Sequence, residues 1–560
     1  MTLPFVAECL DCRHHYPYSP ENISCPNCGS QWSEARYDYA SLGKELPSKL
    51  AQRAFDLWRY RELLPIFEYN PSFSMGEGGT PLVHAANLGM MLGCPNIFIK
   101  DERQGPTNSF KDRQAAVGIA SLKEAGITEA VLASTGNVAI SYSAYAARAG
   151  VKLWAFLTSL VPAEKMREVA VYGTEVVKVT ASYDQAKKVA AEFAYQRGLC
   201  LERGARTIPS IEAMKTIAFE IIEQITSLAD PDQKPATQQP FPWRVPDWYF
   251  QSVSGGLGPL GVLKGFSEMR QMGLTDRIPA IASIQAEGCA PMVQAWKQGL
   301  EIAEPVRSPR THIATLATGD PGRTYTLLFR RMKEGGGIFE SVTDEETFRA
   351  IHILAKMEGI SVEPAAAVAF AGLIKTVRAG YIRPTDTIVV NCTGHTMPVE
   401  KTILGEGWAR DVVLPSQILV ETPEEGLLAA IQHITSERFP RIEIVDDIPE
   451  ARRLLRRILQ SQGDYTIFEA NDGIQAIELA QKEIPDLIIL DLMMPEVDGF
   501  GVLDALKANH ITAHIPVVVV TAKELTPEEK ERLRGQIHAL MQKGQFMSDE
   551  LADEVRALVK

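Results

Sequence analysis

Residues 106–118 read PTNSFKDRQAAVG, and the place of Lys111 within them decides how the larger part of the chain is built. The Gly105-Pro106 turn and the helix-starting pair Asn108-Ser109 precede the lysine, and FKDRQAAVGIASLKEAG then follows a helical pattern. A lysine at that point sits on the floor of a turn, not on a solvated helix face. Outward from it, short apolar runs alternate with helical stretches: NIFIK, AVLAS, KLWAFL, EVVKVT, WYFQSVS, AIASIQA and TIVVNCTG. Such alternation from residue 45 to 412 predicts parallel α/β layers. Residues 228–245, rich in Pro and Gln and without period, predict a surface loop.

Three further turns carry chemistry. STGNVA (134–139) sets a Gly-Asn turn between a strand and a helix, and SVSGGLGPLG (252–261) sets a glycine loop at a helix start, where free N–H groups cradle a phosphate. NCTGHTMP (391–398) places a small hydroxyl at a strand end. Each is common alone, but their order resembles the fold-type II pyridoxal-phosphate enzymes. Within that family it is closest to threonine synthase, whose hallmark is P-T-x-S-F-K-D-R, and the resemblance covers residues 50 to 410. It implies two parallel α/β subdomains and a homodimer. It implies that Lys111 binds the cofactor aldehyde covalently, that Asn137 bonds the ring hydroxyl, that Ser254, Gly255, Gly256, Leu257 and Gly258 hold the phosphate, and that Thr393 meets the pyridine nitrogen. A buried lysine amine with a depressed pKa suits such work as nucleophile and proton shuttle.

The same resemblance implies O-phosphohomoserine as substrate and threonine and phosphate as products. Two positions depart from it. Ser210, in TIPSIEAMKT (207–216), stands where the family carries an arginine, and Val138 replaces a threonine after the cofactor-contacting asparagine. Loss of a bidentate clamp weakens binding of a phosphate dianion. Arg203 and Arg206 are the nearby substitutes, and β-elimination or β-replacement on another amino acid is the alternative.

The last quarter of the chain has a different pattern. Asp446 and Asp447 follow the strand RIEIV, Asp491 ends DLIIL in DLIILDLMMPEVDGFGVL (486–503), Thr521 ends IPVVVV, and Lys543 comes later, at intervals of 45, 30 and 22 residues. The set resembles a response-regulator receiver domain of flavodoxin-like order. That resemblance implies Mg²⁺ held by Asp446, Asp447 and Asp491, phosphorylation of Asp491, and Thr521 and Lys543 as the switch residues. It also implies a sensor histidine kinase or phosphotransfer protein as partner. Gly544 stands where the family has proline, and Leu540 where a switch aromatic usually lies. The basic run Arg452, Arg453, Arg456 and Arg457 reads as a solvated helix face.

Of eight cysteines, Cys9, Cys12, Cys25 and Cys28 form two C-x-x-C pairs separated by twelve residues, the spacing of a four-cysteine structural zinc site. They resemble a zinc ribbon, with His14 and His15 as solvated neighbours. The net charge of −13 disfavours capture by nucleic acid or an anionic membrane, and no apolar run reaches the ~20 residues of a span. No signal-peptide pattern opens the sequence, so the cytoplasm is expected. The expected organisation is a zinc ribbon at 1–36, the enzyme domain at 45–412, a linker at 413–438 and the receiver at 439–560. In that arrangement the enzyme is the output of the switch; a signalling protein using the cofactor domain as sensor or scaffold is the competing class.

Overall fold

The computed structural model describes residues 5–21, 23–134, 136–158, 161, 163–180, 183–230, 232, 234–395, 440–462, 465–523, 525–543 and 548–559. The expected linker at 413–438 and Gly544 lie outside the described residues. Two compact units form. One is drawn from Met1–Ala85, Asn96–Ile351 and Ser361–Val399, the other from Ala86–Pro95, His352–Ile360 and Glu400–Lys560.

The first unit contains two parallel sheets and a small antiparallel one. In the larger sheet the strands lie in the order Gly337–Val342, Ala280–Ala286, Trp248–Ser252, Ile388–Cys392, Ile97–Asp101 and Leu82–His84, and only the last of these runs antiparallel to its neighbour. The inner strands are buried on both faces, which is why they read as continuous apolar runs with no alternation. The second parallel sheet orders Glu175–Val179, Lys152–Thr158, Glu129–Ser134 and Cys200–Leu201. These are the two parallel α/β subdomains expected from the sequence. The helix Ile208–Leu228 is buried along nearly its whole length and packs against both the Lys111–Glu124 and the Leu257–Gln271 helices.

The three short strands Val6–Cys9, His15–Tyr16 and Ser33–Arg36 pair antiparallel to form the ribbon. It is fastened to the rest of the unit. Lys264 Nζ donates to the Ala35 carbonyl at 2.8 Å, Arg331 meets Glu34 at 2.8 Å, and Tyr37 donates to Glu212 at 3.0 Å. Phe5, Ala7, Cys9 and Cys25 belong to the same apolar cluster as Ile211, Leu260 and Tyr325.

In the second unit five parallel strands run in the order Thr466–Ala470, Arg441–Val445, Leu487–Leu490, Val517–Thr521 and Ala539–Gln542. This is the flavodoxin-like order, with apolar clusters on both faces of the sheet. Among the described residues no helix is long and apolar enough to cross a membrane.

Candidate functional site

In the first unit the chain leaves three parallel strands at their carboxyl ends to make one site, the place where open parallel sheets form clefts. From Glu129–Ser134 it turns into the helix Asn137–Ala149, whose cap Gly136 has φ 149°. From Trp248–Ser252 it passes through Ser254–Gly256 into the Leu257–Gln271 helix. Thr393 follows Ile388–Cys392 directly, and its carbonyl accepts from Phe110 N at 3.0 Å. A backbone bridge between Ser109 and Gly394 completes the join, so the turn before Lys111 is sewn to that strand end. Lys111 is the first residue of its helix.

The P-T-N-S-F-K-D-R motif divides into residues anchored inward and one that lines the cleft. Arg113 is 1% exposed and reaches inward to Glu102 at 2.7 Å and Glu220 at 2.6 Å, while Lys100 pairs with Glu220 from the other side at 2.7 Å. Asp112 accepts from Thr107 N at 2.9 Å and from its hydroxyl, locking the turn; burial pushes its pKa up to about 6. Just ahead of these two anchored residues Lys111 lies along a cavity of ≈ 530 Å³, its Nζ 4.2 Å from the centre of the Phe110 ring. Burial brings its amine down to about 8, against the opposing pull of Glu202 and Glu363.

The same cavity is lined by Asn137, Ser254, Gly255, Gly256, Leu257, Gly258 and Thr393, so every residue picked from the first unit's cofactor motifs meets there. Gly256 has φ 86°, and a Cβ on it would stand 3.0 Å from side-chain methyls of Leu328 and Thr324, so any other residue here is strained in its backbone and crowded. Ser254 shares a hydrogen bond with Thr318. Three residues at or beside the cleft were not picked from the sequence. Glu363 accepts from Asn137 Nδ2 at 2.8 Å, and Lys165 reaches Asn137 Oδ1 at 3.1 Å and Glu363 at 3.2 Å. Glu202 also lines the cleft. The signal for Glu363 was the Glu-Pro pair at a helix start, where a carboxylate favours the N-terminus. Ser210 does not line the cleft: it is fully buried and donates to Glu202 at 2.8 Å. Arg203, Arg206 and Val138 do line it.

The family described as pyridoxal-phosphate dependent enzyme matches residues 73–394. The chain belongs to the pyridoxal-phosphate dependent enzyme family. Among its curated relatives in that family, the threonine synthase of Methanocaldococcus jannaschii is 34% identical over 389 residues, which are 69% of this chain and 91% of the relative. That of Methanosarcina acetivorans is 32% identical over 403 residues, 71% and 93% of the two chains. The crystal structure of diaminopropionate ammonia lyase from Escherichia coli shares the fold, with a TM-score of 0.50 at 15% identity, over 65% of this chain and 91% of that one. The cleft fits the family's cofactor on its own evidence. A glycine cap in a left-handed conformation, where a Cβ would be crowded, opens a helix N-terminus for a phosphate, a desolvated lysine faces the cavity, and a strand-end hydroxyl lines it too.

The response regulator receiver domain family matches residues 442–556. There the carboxylates of Asp446, Asp447 and Asp491 offer oxygens that all lie within 4.8 Å of one another at the carboxyl ends of their strands. Lys543 Nζ lies 2.5 Å from both Asp446 and Asp491. Burial above all, with a smaller push from neighbouring Asp491, raises the Asp446 carboxyl against the pull of Lys543; three carboxylates meet one lysine there, an excess of potential negative charge. A divalent cation suits that excess. Thr521 is buried at its strand end and Lys543 N donates to its carbonyl at 2.8 Å, while Leu540 is exposed. The arginine run is partly tied down, Arg452 and Arg456 both meeting Glu469.

In the ribbon the Sγ atoms of Cys9, Cys12, Cys25 and Cys28 all lie within 4.8 Å of one another, with Cys9 to Cys28 at 3.5 Å and Cys12 to Cys25 at 3.7 Å. A tetrahedral zinc with Zn–S near 2.3 Å needs sulfurs about 3.8 Å apart. Arg13 N and Gly29 N donate to the Cys9 and Cys25 carbonyls, closing both knuckles.

Proposed function

We propose that the chain is a threonine synthase-like enzyme that acts on an amino acid bearing a γ-phosphate, with Lys111 as its reactive lysine and the receiver as its regulator. The observation that carries this reading is the convergence of Lys111, Asn137, the Ser254–Gly258 loop and Thr393 on one cleft, at 31–34% identity to curated threonine synthases. Pyridoxal phosphate, when bound, supplies an electron sink for a carbanion at the substrate's α-carbon. The chain's residues supply the rest. With a pKa of about 8, Lys111 keeps on the order of a tenth of its amine unprotonated near pH 7, so it can take a proton from a substrate carbon and return it. Asn137, held by Glu363 and Lys165, and Thr393 orient the ring, and the 254–258 loop takes the cofactor's phosphate.

Arg203 and Arg206 stand on one short turn at the cleft, and burial followed by the charge of Arg206 lowers the Arg203 pKa. An anion relieves that repulsion, so this pair takes the substrate phosphate in place of the clamp that Ser210 cannot provide. One observation favours a different amino acid: Ser210 is turned onto Glu202, bringing a carboxylate to this wall of the cleft. We further propose zinc at the four cysteines as a folding ligand, Mg²⁺ at Asp446, Asp447 and Asp491, phosphotransfer from a sensor histidine kinase, and a homodimer in the cytoplasm.

The test is turnover on O-phosphohomoserine against an amino-acid panel. Lys111→Ala is expected to lose both the visible absorbance of bound cofactor and turnover while keeping its circular dichroism. Arg203→Ala/Arg206→Ala is expected to raise KM for the phosphate ester more than tenfold, the scale of a lost charge-assisted pair. Borohydride trapping of the cofactor on another lysine overturns the first assignment; threonine formation that survives loss of both arginines overturns the second.

A further inference from the structure

Lys111 and Gln114 stand three positions apart on one helix, so their side chains are neighbours, and both line the cleft. Gln114 is 1% exposed, and its Nε2 donates to Glu202 Oε1 and to Ser210 Oγ, each at 3.2 Å. A carboxylate only accepts, so that contact fixes which end of the amide faces Glu202. It leaves Gln114 Oε1 as a buried acceptor without a hydrogen-bond partner among the described residues. Glu202 is held firmly: besides Gln114, its Oε1 accepts from Ser210 Oγ and from Gly204 N, both at 2.8 Å. Three donors converge on one oxygen of a carboxylate whose residue opens onto the cleft that Lys111 shares.

We propose that Glu202 is a positioning residue for Lys111: with Gln114 it forms a wall of acceptors that receives the lysine's ammonium whenever that amine is free. The proposal rests on the reading of Lys111 as the reactive lysine. The other groups around the pair are accounted for. Glu363 also faces Lys111, but its carboxylate is already shared between Asn137 and Lys165. Tyr18, Tyr142, Tyr183 and Cys200 face Glu202, and burial raises the pKa of each, which keeps them neutral. Burial also pushes Glu202 itself up, against the pull of Ser210, Gly204, Gln114 and Lys111.

The geometry gives Ser210 a purpose. Where the family resemblance calls for an arginine, this chain has a hydroxyl that steadies a carboxylate beside the reactive lysine. It also divides the cleft by charge: an acceptor wall at Glu202 and Gln114, and the cationic turn of Arg203 and Arg206 next to it. A substrate anion is thereby steered to the arginines and away from the reacting amine.

The experiment measures the amine directly in the full chain freed of cofactor. Trace acetylation with acetic anhydride from about pH 6 to 10, with acetyl-Lys111 counted by peptide mass spectrometry, gives the midpoint of its titration. The unsubstituted chain is expected near 8. Glu202→Gln is expected to lower the midpoint by about one unit, because an opposite charge that favours the ammonium is lost. Glu202→Asp restores most of it, and Ser210→Ala, which keeps the charge and introduces no bulk, lowers it by less. Equal midpoints in all four proteins overturn the proposal. Added pyridoxal phosphate must also protect Lys111 from acetylation in the unsubstituted chain. Protection of a different lysine overturns the functional reading itself, whereas a protected Lys111 with an unmoved midpoint overturns this inference alone.

Discussion

Glu443 is the residue whose consequence is easiest to miss. It lies on the strand Arg441–Val445, where alternation puts Ile442 and Ile444 in one apolar cluster and sends Glu443 to the face of Val445, Ala470, Ile488 and Leu503. It is 1% exposed, both carboxyl oxygens lack hydrogen-bond partners among the described residues, and burial pushes its pKa up to about 8. The folded receiver keeps the proton that the unfolded chain gives up near 4.5. Between those two values the native state binds more protons, so Glu443 withdraws stability as pH rises, by up to a few kcal/mol near pH 8. Glu443→Leu is therefore expected to leave stability little changed near pH 5 and to raise it progressively toward pH 8. Hydrogen exchange of the 441–445 strand in the full chain measures it, and a gain independent of pH would show that the carboxyl is ionised or paired. The sequence displayed this residue without marking it: alternation within RIEIV says only that a polar group falls between two isoleucines, and whether the facing side is wet depends on helices from elsewhere in the chain. Lys111 was legible for the opposite reason, since its turn, its helix start and its motif are all local.

At the scale of elements, the Leu257–Gln271 helix shows why glycine recurs in SGGLGPLGVLKG. Gly261 and Gly265 lie one turn apart on the face toward Ile208–Leu228. A Cβ on the first would stand 2.6 Å from the Ile211 carbonyl oxygen, and one on the second 2.5 Å from that of Lys215. These contacts are with backbone, which cannot rotate away. Gly265→Ala is expected to cost about 1–3 kcal/mol by overpacking, visible as a lower thermal midpoint, and to displace the helix whose N-terminus faces the cofactor cleft. A midpoint equal to that of the unsubstituted protein would mean the two helices can separate freely. Most strands of both α/β layers could be read ahead, AIASIQA to the residue, because each is a compact apolar run. Gly337–Val342 was not, since its glycine and acidic residue break the run, and although the family resemblance implied two subdomains, local patterns did not show which strand joins which sheet. That membership is set by pairings such as Ile97 with Ile388, which no local pattern reveals.

For the whole molecule, the three carboxylates that the receiver resemblance named stand together, and the residues that the cofactor resemblance named line one cleft. Phosphorylating Asp491 adds charge where Asp446 and Asp447 already crowd, and draws on Thr521 and Lys543. We expect acetyl phosphate with Mg²⁺ to change the enzyme's affinity for substrate, and Asp491→Asn to abolish that response. Couplings of about 1–3 kcal/mol correspond to five- to 150-fold, and Leu540 in place of a switch aromatic favours the lower end. If mass spectrometry confirms the modification while KM and kcat stay fixed, the receiver signals to a partner and not to its own enzyme.

The bridge from Ser109 to Gly394 also sets a timetable. The ribbon's cysteines span twenty residues and can close on an ion soon after they are made, but the lysine turn must wait for a strand almost three hundred residues downstream. On the ribosome, where chains grow from the N-terminus at roughly 5–20 residues per second, Lys111 is exposed for tens of seconds before its pocket exists. Through that interval the amine has neither the desolvation that lowers its pKa nor the loop that holds a phosphate. Cofactor capture thus becomes a late event in biogenesis, and it reports that synthesis of the catalytic unit has run its full course.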